Sequence, residues 1–276
     1  MKRTLFVINS NSGNANSVDE EVLAAALVAG GFRIASRISL PDEDLPSRAV
    51  VEAAAFDTVA VCAGDGTISS LCANLAGWEG DVLVLPGGTM NLLSRRLHGE
   101  HGLPEVFDLL PNASASAEPV PIIKIGDTEI LAGLTVGPST RWGKVREGIR
   151  QADISSLSET VPEAWSQTLS DDSVWLDGAQ REAYAGIFIE PFDCENLKVL
   201  AFKANSLGDM VNHGLAWLRH DFREGPHVEL GLMKRATVIG DPIETGILVD
   251  GEYEDWLLPL TCRAAMSSVR FIRTAP

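Results

Sequence analysis

Two short apolar runs, each ending in a glycine-rich turn, constrain this chain more than any other feature. The first run and its turn occupy residues 59–67, and the second pair occupies residues 83–91. A helix-like segment follows each turn, at residues 68–76 and 92–97. Short apolar runs that alternate with helical stretches are typical of strand–turn–helix units in an α/β sheet. Both turns then lie at the carboxyl ends of strands, where such sheets bind their ligands.

The composition of these turns points to phosphate as the ligand. Glycine has no side chain, so backbone N–H groups approach a phosphate closely, and the N-terminus of the following helix adds partial positive charge. Asp65 stands among these amide donors and suits a metal ion that accompanies phosphates. Taken alone, Gly64 and Gly66 also fit an ordinary tight turn. Two such turns on neighbouring strand ends favour the phosphate site.

Four motifs resemble those of the diacylglycerol kinase-like lipid kinases, a family that includes the sphingosine kinases. Residues 63–67 (AGDGT) are similar to the signature GGDGT, and residues 86–95 (PGGTMNLLSR) resemble P-x-G-T-x-N-D-x-A-R. Residues 9–13 (NSNSG) are similar to the opening N-P-x-S-G, and residues 249–252 (VDGE) contain D-G-E. The four motifs, in this order and spacing, cover nearly the whole chain.

The resemblance implies an α/β nucleotide-binding domain followed by a mostly antiparallel β-sandwich domain, with a cleft between them that holds the site. Residues 111–119 are small, polar and flanked by prolines, which predicts a domain boundary. We expect residues 1–115 to form the α/β ATP-binding domain and residues 116–276 to form the β-rich lipid-substrate domain. We leave open whether the last strand returns to the first domain. Within the second part, residues 129–136 are predicted to form one strand.

The resemblance implies that ATP binds to the first domain together with Mg²⁺. The residues that match the family motifs, and that we therefore expect to contact the nucleotide, are Asn9, Ser12, Gly13, Gly64, Asp65, Gly66, Thr67, Gly88, Thr89, Asn91 and Arg95. An ordinary loop between strand and helix stays open as the alternative for residues 9–13. For Arg95, a phosphate contact and a surface ion pair have equal weight.

Carboxylates supply the predicted catalytic and metal-binding groups. By resemblance to D-G-E, Asp250 would accept the proton of the lipid hydroxyl, and Asp65 is the second predicted catalytic residue. Asp65, Glu252 and Asp193 are the predicted metal ligands. An Asp-Gly turn that simply ends a strand is the alternative for Asp250, and a solvated loop acid is the alternative for Asp193.

One departure from the family pattern bears on function. Leu92 replaces the aspartate that follows the asparagine of the second motif, so one carboxylate is lost. We expect a kinase that phosphorylates a hydroxyl of diacylglycerol or a related lipid. A kinase for a soluble alcohol such as NAD, and a nucleotide-binding regulatory protein without kinase activity, stay open as alternatives.

Composition restricts partners and location. The formal net charge is −16, which argues against a nucleic-acid partner and against strong adsorption to anionic membranes. No apolar run approaches the ~20 residues needed to span a bilayer. The four cysteines are scattered, which indicates the cytoplasm. We expect peripheral contact with a lipid surface and leave a homodimer open. His98 and His101 are predicted to lie on the surface, because no cysteine or carboxylate completes a metal motif around them.

Overall fold

The structure is a computed structural model that describes residues 1–9, 12, 20–112, 117–141, 173–178, 182–202 and 227–275. Contacts within the chain divide it into two units. The first unit comprises Met1–Val120 and Met266–Pro276, and the second comprises Pro121–Ala265.

The described residues contain five helices and sixteen strands. The helices are α1 (Glu20–Ala29), α2 (Arg48–Ala53), α3 (Asp65–Asn74), α4 (Leu92–His98) and α5 (Leu103–Leu109). The strands are β1 (Lys2–Asn9), β2 (Phe32–Leu40), β3 (Thr58–Ala63), β4 (Asp81–Pro86), β5 (Pro121–Ile125), β6 (Thr128–Ile130), β7 (Leu134–Val136), β8 (Ser173–Leu176), β9 (Gly186–Pro191), β10 (Leu197–Phe202), β11 (His227–Met233), β12 (Arg235–Asp241), β13 (Glu244–Val249), β14 (Glu252–Leu257), β15 (Leu260–Met266) and β16 (Arg270–Phe271).

The first unit is built on a parallel sheet with the strand order β16-β4-β3-β1-β2. Every residue of β3 and β4 is buried. A parallel strand covered on both faces needs apolar side chains in both directions, which is why these strands appear in the sequence as uninterrupted apolar runs. α3 begins at Asp65, three residues earlier than the predicted segment, so the first glycine-rich turn runs directly into its first helical turn.

The second unit consists of two sheets that share one apolar core. The six-stranded sheet has the order β11-β10-β9-β7-β13-β14, and the five-stranded sheet has the order β6-β5-β15-β12-β8. The antiparallel pairs are β11–β10, β10–β9, β9–β7, β7–β13, β13–β14, β6–β5, β15–β12 and β12–β8. The core contains buried side chains from both sheets, among them Ile123 and Val238 from one and Val136 and Ile187 from the other. The predicted fold class, an α/β unit with a parallel sheet and an antiparallel β-rich unit, is confirmed.

The prediction of a single strand at residues 129–136 is wrong. Two strands occupy this stretch, β6 in the five-stranded sheet and β7 in the six-stranded sheet. Residues 131–133 lie between them and carry the chain from one sheet to the other. The break has a physical cause, because the N–H groups of these three residues donate to the carboxylate of Asp250 rather than to a neighbouring strand.

The chain returns to the first unit after β15. The N–H of Ser267 donates to the carbonyl of Val120 at 2.9 Å, and the N–H of Val120 donates to Oγ of Ser267 at 2.9 Å. β16 then extends the parallel sheet beside β4. The pair of bonds fixes the two points at which the chain leaves the first unit and re-enters it. Across the described stretches of the chain, no helix combines the length and apolar character that crossing a membrane requires.

Candidate functional site

The opening loop and the two glycine-rich turns come together in the first unit. We call residues 9–13 the opening loop, residues 63–67 the first glycine turn and residues 86–91 the second glycine turn. They follow β1, β3 and β4, which are parallel neighbours in the sheet, so all three lie at its carboxyl edge. This edge is where open α/β sheets bind ligands.

Hydrogen bonds join the opening loop to the first glycine turn. Oγ of the buried Ser12 accepts the N–H of Gly64 at 3.1 Å. Nδ2 of Asn9 donates to Oγ1 of Thr67 at 3.2 Å. Ser12 is itself placed by a turn, because its N–H donates to the carbonyl of Asn9 at 3.0 Å. Asn9, Ser12, Gly64 and Thr67 therefore form one connected group, while Gly13 lies outside the described residues.

Glycine is present for a different reason in each of the two turns. A Cβ on Gly88 would lie 2.7 Å from the Cα of Gly64, and a Cβ on Gly87 would lie 2.6 Å from the backbone nitrogen of Ala63. Both glycines are therefore needed for the close approach of two backbones. Among the residues that the structure describes, the nearest atom to a Cβ on Gly64 would be Oγ of Ser12 at 3.7 Å. Contacts within this part of the chain therefore do not require a glycine at position 64, and the missing side chain leaves room for an anion at the N-terminus of α3.

Asp65 and Asn91 link the second glycine turn to its surroundings. Oδ1 of Asp65, a buried side chain, accepts the N–H of Leu93 at 3.2 Å, so Asp65 satisfies an amide in the first turn of α4. Asn91 has a φ of 52°, and its Oδ1 accepts the N–H of Gly88 at 2.7 Å. Thr89 is the exposed residue of this turn. Gly66 lies in the first helical turn of α3, beside Asp65.

Arg95 lies on α4 and is paired to an acid. Its Nε donates to Oε2 of Glu100 at 2.6 Å, and its guanidinium forms an ion pair with the same carboxylate. Of the two alternatives left open for Arg95, the surface ion pair is present in the structure. A bound phosphate would have to compete with Glu100 for this guanidinium.

Asp250 is a buried carboxylate in the second unit. Its side chain is 2% exposed, and its backbone has a φ of 48° between β13 and β14. Oδ1 accepts the N–H groups of Ala132 at 2.7 Å and Gly133 at 3.1 Å, and Oδ2 accepts the N–H of Leu131 at 3.1 Å. Asp250 is thus more than a strand-ending turn residue, because it holds the crossing between the two sheets.

Asp193 and Glu252 lie in turns of the second unit. Oδ1 of Asp193 accepts the N–H groups of Glu195 at 2.8 Å and Asn196 at 2.7 Å, and its Oδ2 accepts Nδ2 of Asn196 at 2.9 Å. The bond from the Asn196 side chain is the main reason that the pKa of Asp193 lies below its usual value. Glu252 is exposed at the start of β14. The turn thus gives Asp193 a structural role between β9 and β10.

His98 is buried, so the prediction that it lies on the surface is wrong. It is 0% exposed, at the C-terminal end of α4. Its Nε2 lies 2.8 Å from the carbonyl oxygen of Val84, and its Nδ1 lies 2.9 Å from Oγ1 of Thr274. Burial lowers the pKa of His98 to about 4. Both partners are distant in sequence, so no local signal marks this position.

Metal-binding groups are sparse in the described ranges. Within those ranges, no three His, Cys, Asp or Glu side chains are grouped closely enough to hold a metal ion. Asp65 is the acid of the first glycine turn. A single carboxylate fits Mg²⁺ that is bound mainly through the phosphates of a nucleotide.

Comparison with known proteins agrees with this arrangement. Residues 3–125 match the family model of the diacylglycerol kinase catalytic domain, which confirms over this segment the resemblance found in the sequence. The matched residues contain the opening loop and both glycine turns. Among curated proteins, none matches the chain.

Three solved structures of proteins from Bacillus anthracis str. Sterne are similar to the whole chain. Two are of candidate diacylglycerol kinases, with TM-scores of 0.62 and 0.61 and identities of 17% and 16%. The third is of a diacylglycerol kinase, with a TM-score of 0.60 and an identity of 15%. Each comparison covers 99% of this chain and 97% of the other. At these identities the likeness establishes the fold. The catalytic-domain match over residues 3–125 supports a phosphotransferase that acts on an alcohol group.

Proposed function

We propose that this chain is an ATP- and Mg²⁺-dependent lipid kinase that phosphorylates a hydroxyl of diacylglycerol or a related lipid. The observation that carries the proposal is the hydrogen-bonded group of three turns at the carboxyl edge of the parallel sheet. The match of residues 3–125 to a diacylglycerol kinase catalytic domain supports the same activity.

The triphosphate of ATP fits beside the first glycine turn. α3 is ten residues long, and its first amides and its dipole favour an anion at Gly64. Among the described residues, no atom lies within 3.7 Å of the position that a Cβ on Gly64 would take, which supports a phosphate oxygen there. The contacts that we propose for the nucleotide are Asn9, Ser12, Gly13, Gly64, Asp65, Gly66, Thr67, Gly88, Thr89, Asn91 and Arg95.

Asp65 is the residue of the first unit that we propose to hold Mg²⁺. One oxygen of its carboxylate accepts the N–H of Leu93, which fixes the orientation of the group. When bound, Mg²⁺ would offset the negative charge that the phosphates carry and develop during transfer. Glu252 is the second proposed ligand. We leave Asp193 as the weakest of the predicted ligands, since Asn196 occupies both its oxygens.

Asp250 is the proposed proton acceptor. The lipid hydroxyl oxygen forms a bond to the γ-phosphorus while the bond from that phosphorus to the β–γ bridging oxygen breaks. ADP leaves, and the hydroxyl proton passes to the carboxylate of Asp250. Three backbone donors hold this carboxylate in one orientation, and a fixed orientation is what positional catalysis requires.

The acceptor that we propose is presented at a lipid surface, which the protein contacts peripherally. None of the four cysteines, all of them among the described residues, forms a disulfide, which supports the proposal of a reducing compartment such as the cytoplasm. The net charge of −16 disfavours general adsorption to anionic lipid. We therefore expect a neutral acceptor lipid such as diacylglycerol to be used in vesicles that carry little negative charge.

The test is transfer of γ-labelled phosphate from ATP with Mg²⁺ to diacylglycerol and to extracted lipids in mixed micelles. We expect a labelled lipid with the wild-type protein. Asp250→Asn should reduce turnover at least a hundredfold. Asp255→Asn is the matched control, because Asp255 is exposed on β14 and its substitution should leave turnover unchanged.

Other outcomes identify the alternatives. Labelling of a soluble alcohol such as NAD, with no labelled lipid, would replace the lipid acceptor by a soluble one. ATP binding without transfer to any acceptor would indicate a regulatory protein. Full turnover by a correctly folded Asp250→Asn variant would show that another group accepts the proton.

A further inference from the structure

Residues 272–275 lie against the two elements that enclose the second glycine turn. The N–H of Ile272 donates to the carbonyl of Val82 in β4 at 2.9 Å. The N–H groups of Thr274 and Ala275 both donate to the carbonyl of Leu97, each at 3.2 Å. Leu97 is in the last turn of α4, where a carbonyl has no partner within the helix. The segment thus contacts the strand before the turn and the helix after it.

The ring of His98 completes this connection. A carbonyl oxygen only accepts hydrogen bonds, so the bond to Val84 assigns the ring proton to Nε2. Nδ1 is then the acceptor for the hydroxyl of Thr274 at 2.9 Å. Because burial holds the pKa of His98 near 4, the ring is neutral at pH 7 and keeps both bonds. His98 therefore joins β4, α4 and the returning segment at one point.

The connection through His98 affects the position of the second glycine turn because α4 is short. Seven residues span roughly 10 Å. If its C-terminal end came loose from β4, a tilt of about 10° would move one end by roughly 2 Å relative to the other. Ligand-binding groups have to be held within about 0.5 Å. The bond between Asp65 and Leu93 restrains the N-terminal end of α4, and His98 restrains the other.

We propose that His98 and Thr274 are positioning residues for the nucleotide, and that they fix the backbone amides of the second glycine turn by holding α4 against β4. This inference rests on the proposed function, since it takes those amides to contact the phosphates of ATP. It assigns a part in nucleotide binding to Thr274, which is 176 residues away from His98 in the sequence.

The experiment compares three threonine variants by calorimetric titration with ATP and Mg²⁺. Thr274→Val removes the hydroxyl that bonds to His98 and keeps the shape of the side chain. Thr274→Ser retains the hydroxyl and serves as the conservative rescue. Thr261→Val is the matched control, because it removes a hydroxyl that bonds to Thr237 at 3.0 Å in the second unit. Hydrogen exchange of the amides at residues 87–91 is measured without nucleotide in each protein.

We expect Thr274→Val to weaken ATP binding by roughly five- to tenfold, the equivalent of about one hydrogen bond. Exchange at residues 87–91 should become faster in the same variant. His98→Leu should act in the same direction, while Thr274→Ser and Thr261→Val should bind like the wild type.

Two results would overturn the inference. If Thr274→Val and His98→Leu fold, bind ATP with wild-type affinity and show unchanged exchange at residues 87–91, the two residues serve stability alone. If the wild-type protein itself fails to bind ATP, the proposed function falls, and the inference falls with it.

Discussion

An alanine at position 88 would place its Cβ 2.7 Å from the Cα of Gly64 and 3.3 Å from Oδ1 of Asn91. Carbon atoms in protein interiors pack best at about 3.5–4.0 Å. The two glycine turns would therefore have to separate by roughly 1 Å. The first contact is between two backbones that follow buried strands, so no flexible side chain can move away. We predict that Gly88→Ala destabilises the first unit.

The expected loss follows from two opposing terms. Overpacking of this kind costs about 1–3 kcal/mol, and a clash between backbones belongs at the upper end. Replacing glycine by alanine also restricts the unfolded chain, which stabilises the protein by about 0.4–1 kcal/mol. The net loss in the free energy of unfolding is therefore about 2 kcal/mol. For a protein of this size, that lowers Tm by about 4–8 °C.

Gly64→Ser supplies the comparison. Gly64 is the N-cap of α3, with φ −77° and ψ 162°, a conformation and position that serine favours. Within the described part of the chain, its Cβ would meet nothing nearer than 3.7 Å. We expect its free energy of unfolding to stay within about 0.5 kcal/mol of the wild type. Its affinity for ATP should fall at least tenfold, because the side chain would fill the space proposed for a phosphate oxygen.

Thermal unfolding followed by circular dichroism measures stability, and calorimetric titration measures affinity. The reasoning would be refuted if Gly88→Ala unfolded at the same temperature as the wild type, because the two backbones would then accommodate the added Cβ at no cost. Equal Tm losses in both variants would show that position 64 is also set by packing. An unchanged affinity for ATP in Gly64→Ser would remove the nucleotide from this edge of the sheet.

Three further predictions concern buried groups. Asp250→Asn should lose about 3 kcal/mol in urea unfolding, because an amide nitrogen would face backbone donors, whereas Asp255→Asn should lose nothing measurable. Burial lowers the pKa of His98 from 6.5 to about 4, so its contribution to the free energy of unfolding is complete above pH 6.5 and falls by about 3 kcal/mol as the pH drops toward 4. The difference between the free energies of unfolding at pH 7 and pH 5 should therefore be smaller in His98→Gln than in the wild type. Alkylation at pH 8 followed by mass spectrometry should modify the exposed Cys194 and not Cys62, because burial raises the pKa of the Cys62 thiol to about 12.

The parallel sheet could be predicted because its central strands carry their signal locally. β3 and β4 are buried along their whole length, and burial on both faces of a parallel sheet requires the apolar runs that the sequence shows. The glycines that follow them mark the ends of the strands. The meeting of the opening loop with the first glycine turn follows from the order of parallel strands alone.

The rest depends on partners far away in the chain. Residues 129–136 resemble one continuous strand in the sequence. Nothing in that stretch shows that the N–H groups of residues 131–133 donate to Asp250, which is more than a hundred residues later. His98 resembles a surface residue near a helix end because Thr274, its partner, is 176 residues away. β14 is an edge strand of mixed exposure with little alternation of apolar and polar residues, so its sequence carries no clear strand pattern.

The pairing of β16 with β4 has a consequence for synthesis on the ribosome. β4 ends at Pro86, but the strand that pairs with its outer edge at Asp81 and Val82 is made only when Phe271 has been added. At about 5–20 residues per second, the interval is roughly 10–40 s. Throughout that time the nascent first unit presents an apolar strand with unpaired N–H and C=O groups, which is a template for association with other chains. Lower growth temperatures, and chaperones that shield strand edges, should therefore raise the soluble yield by protecting the first unit, most of which is translated first.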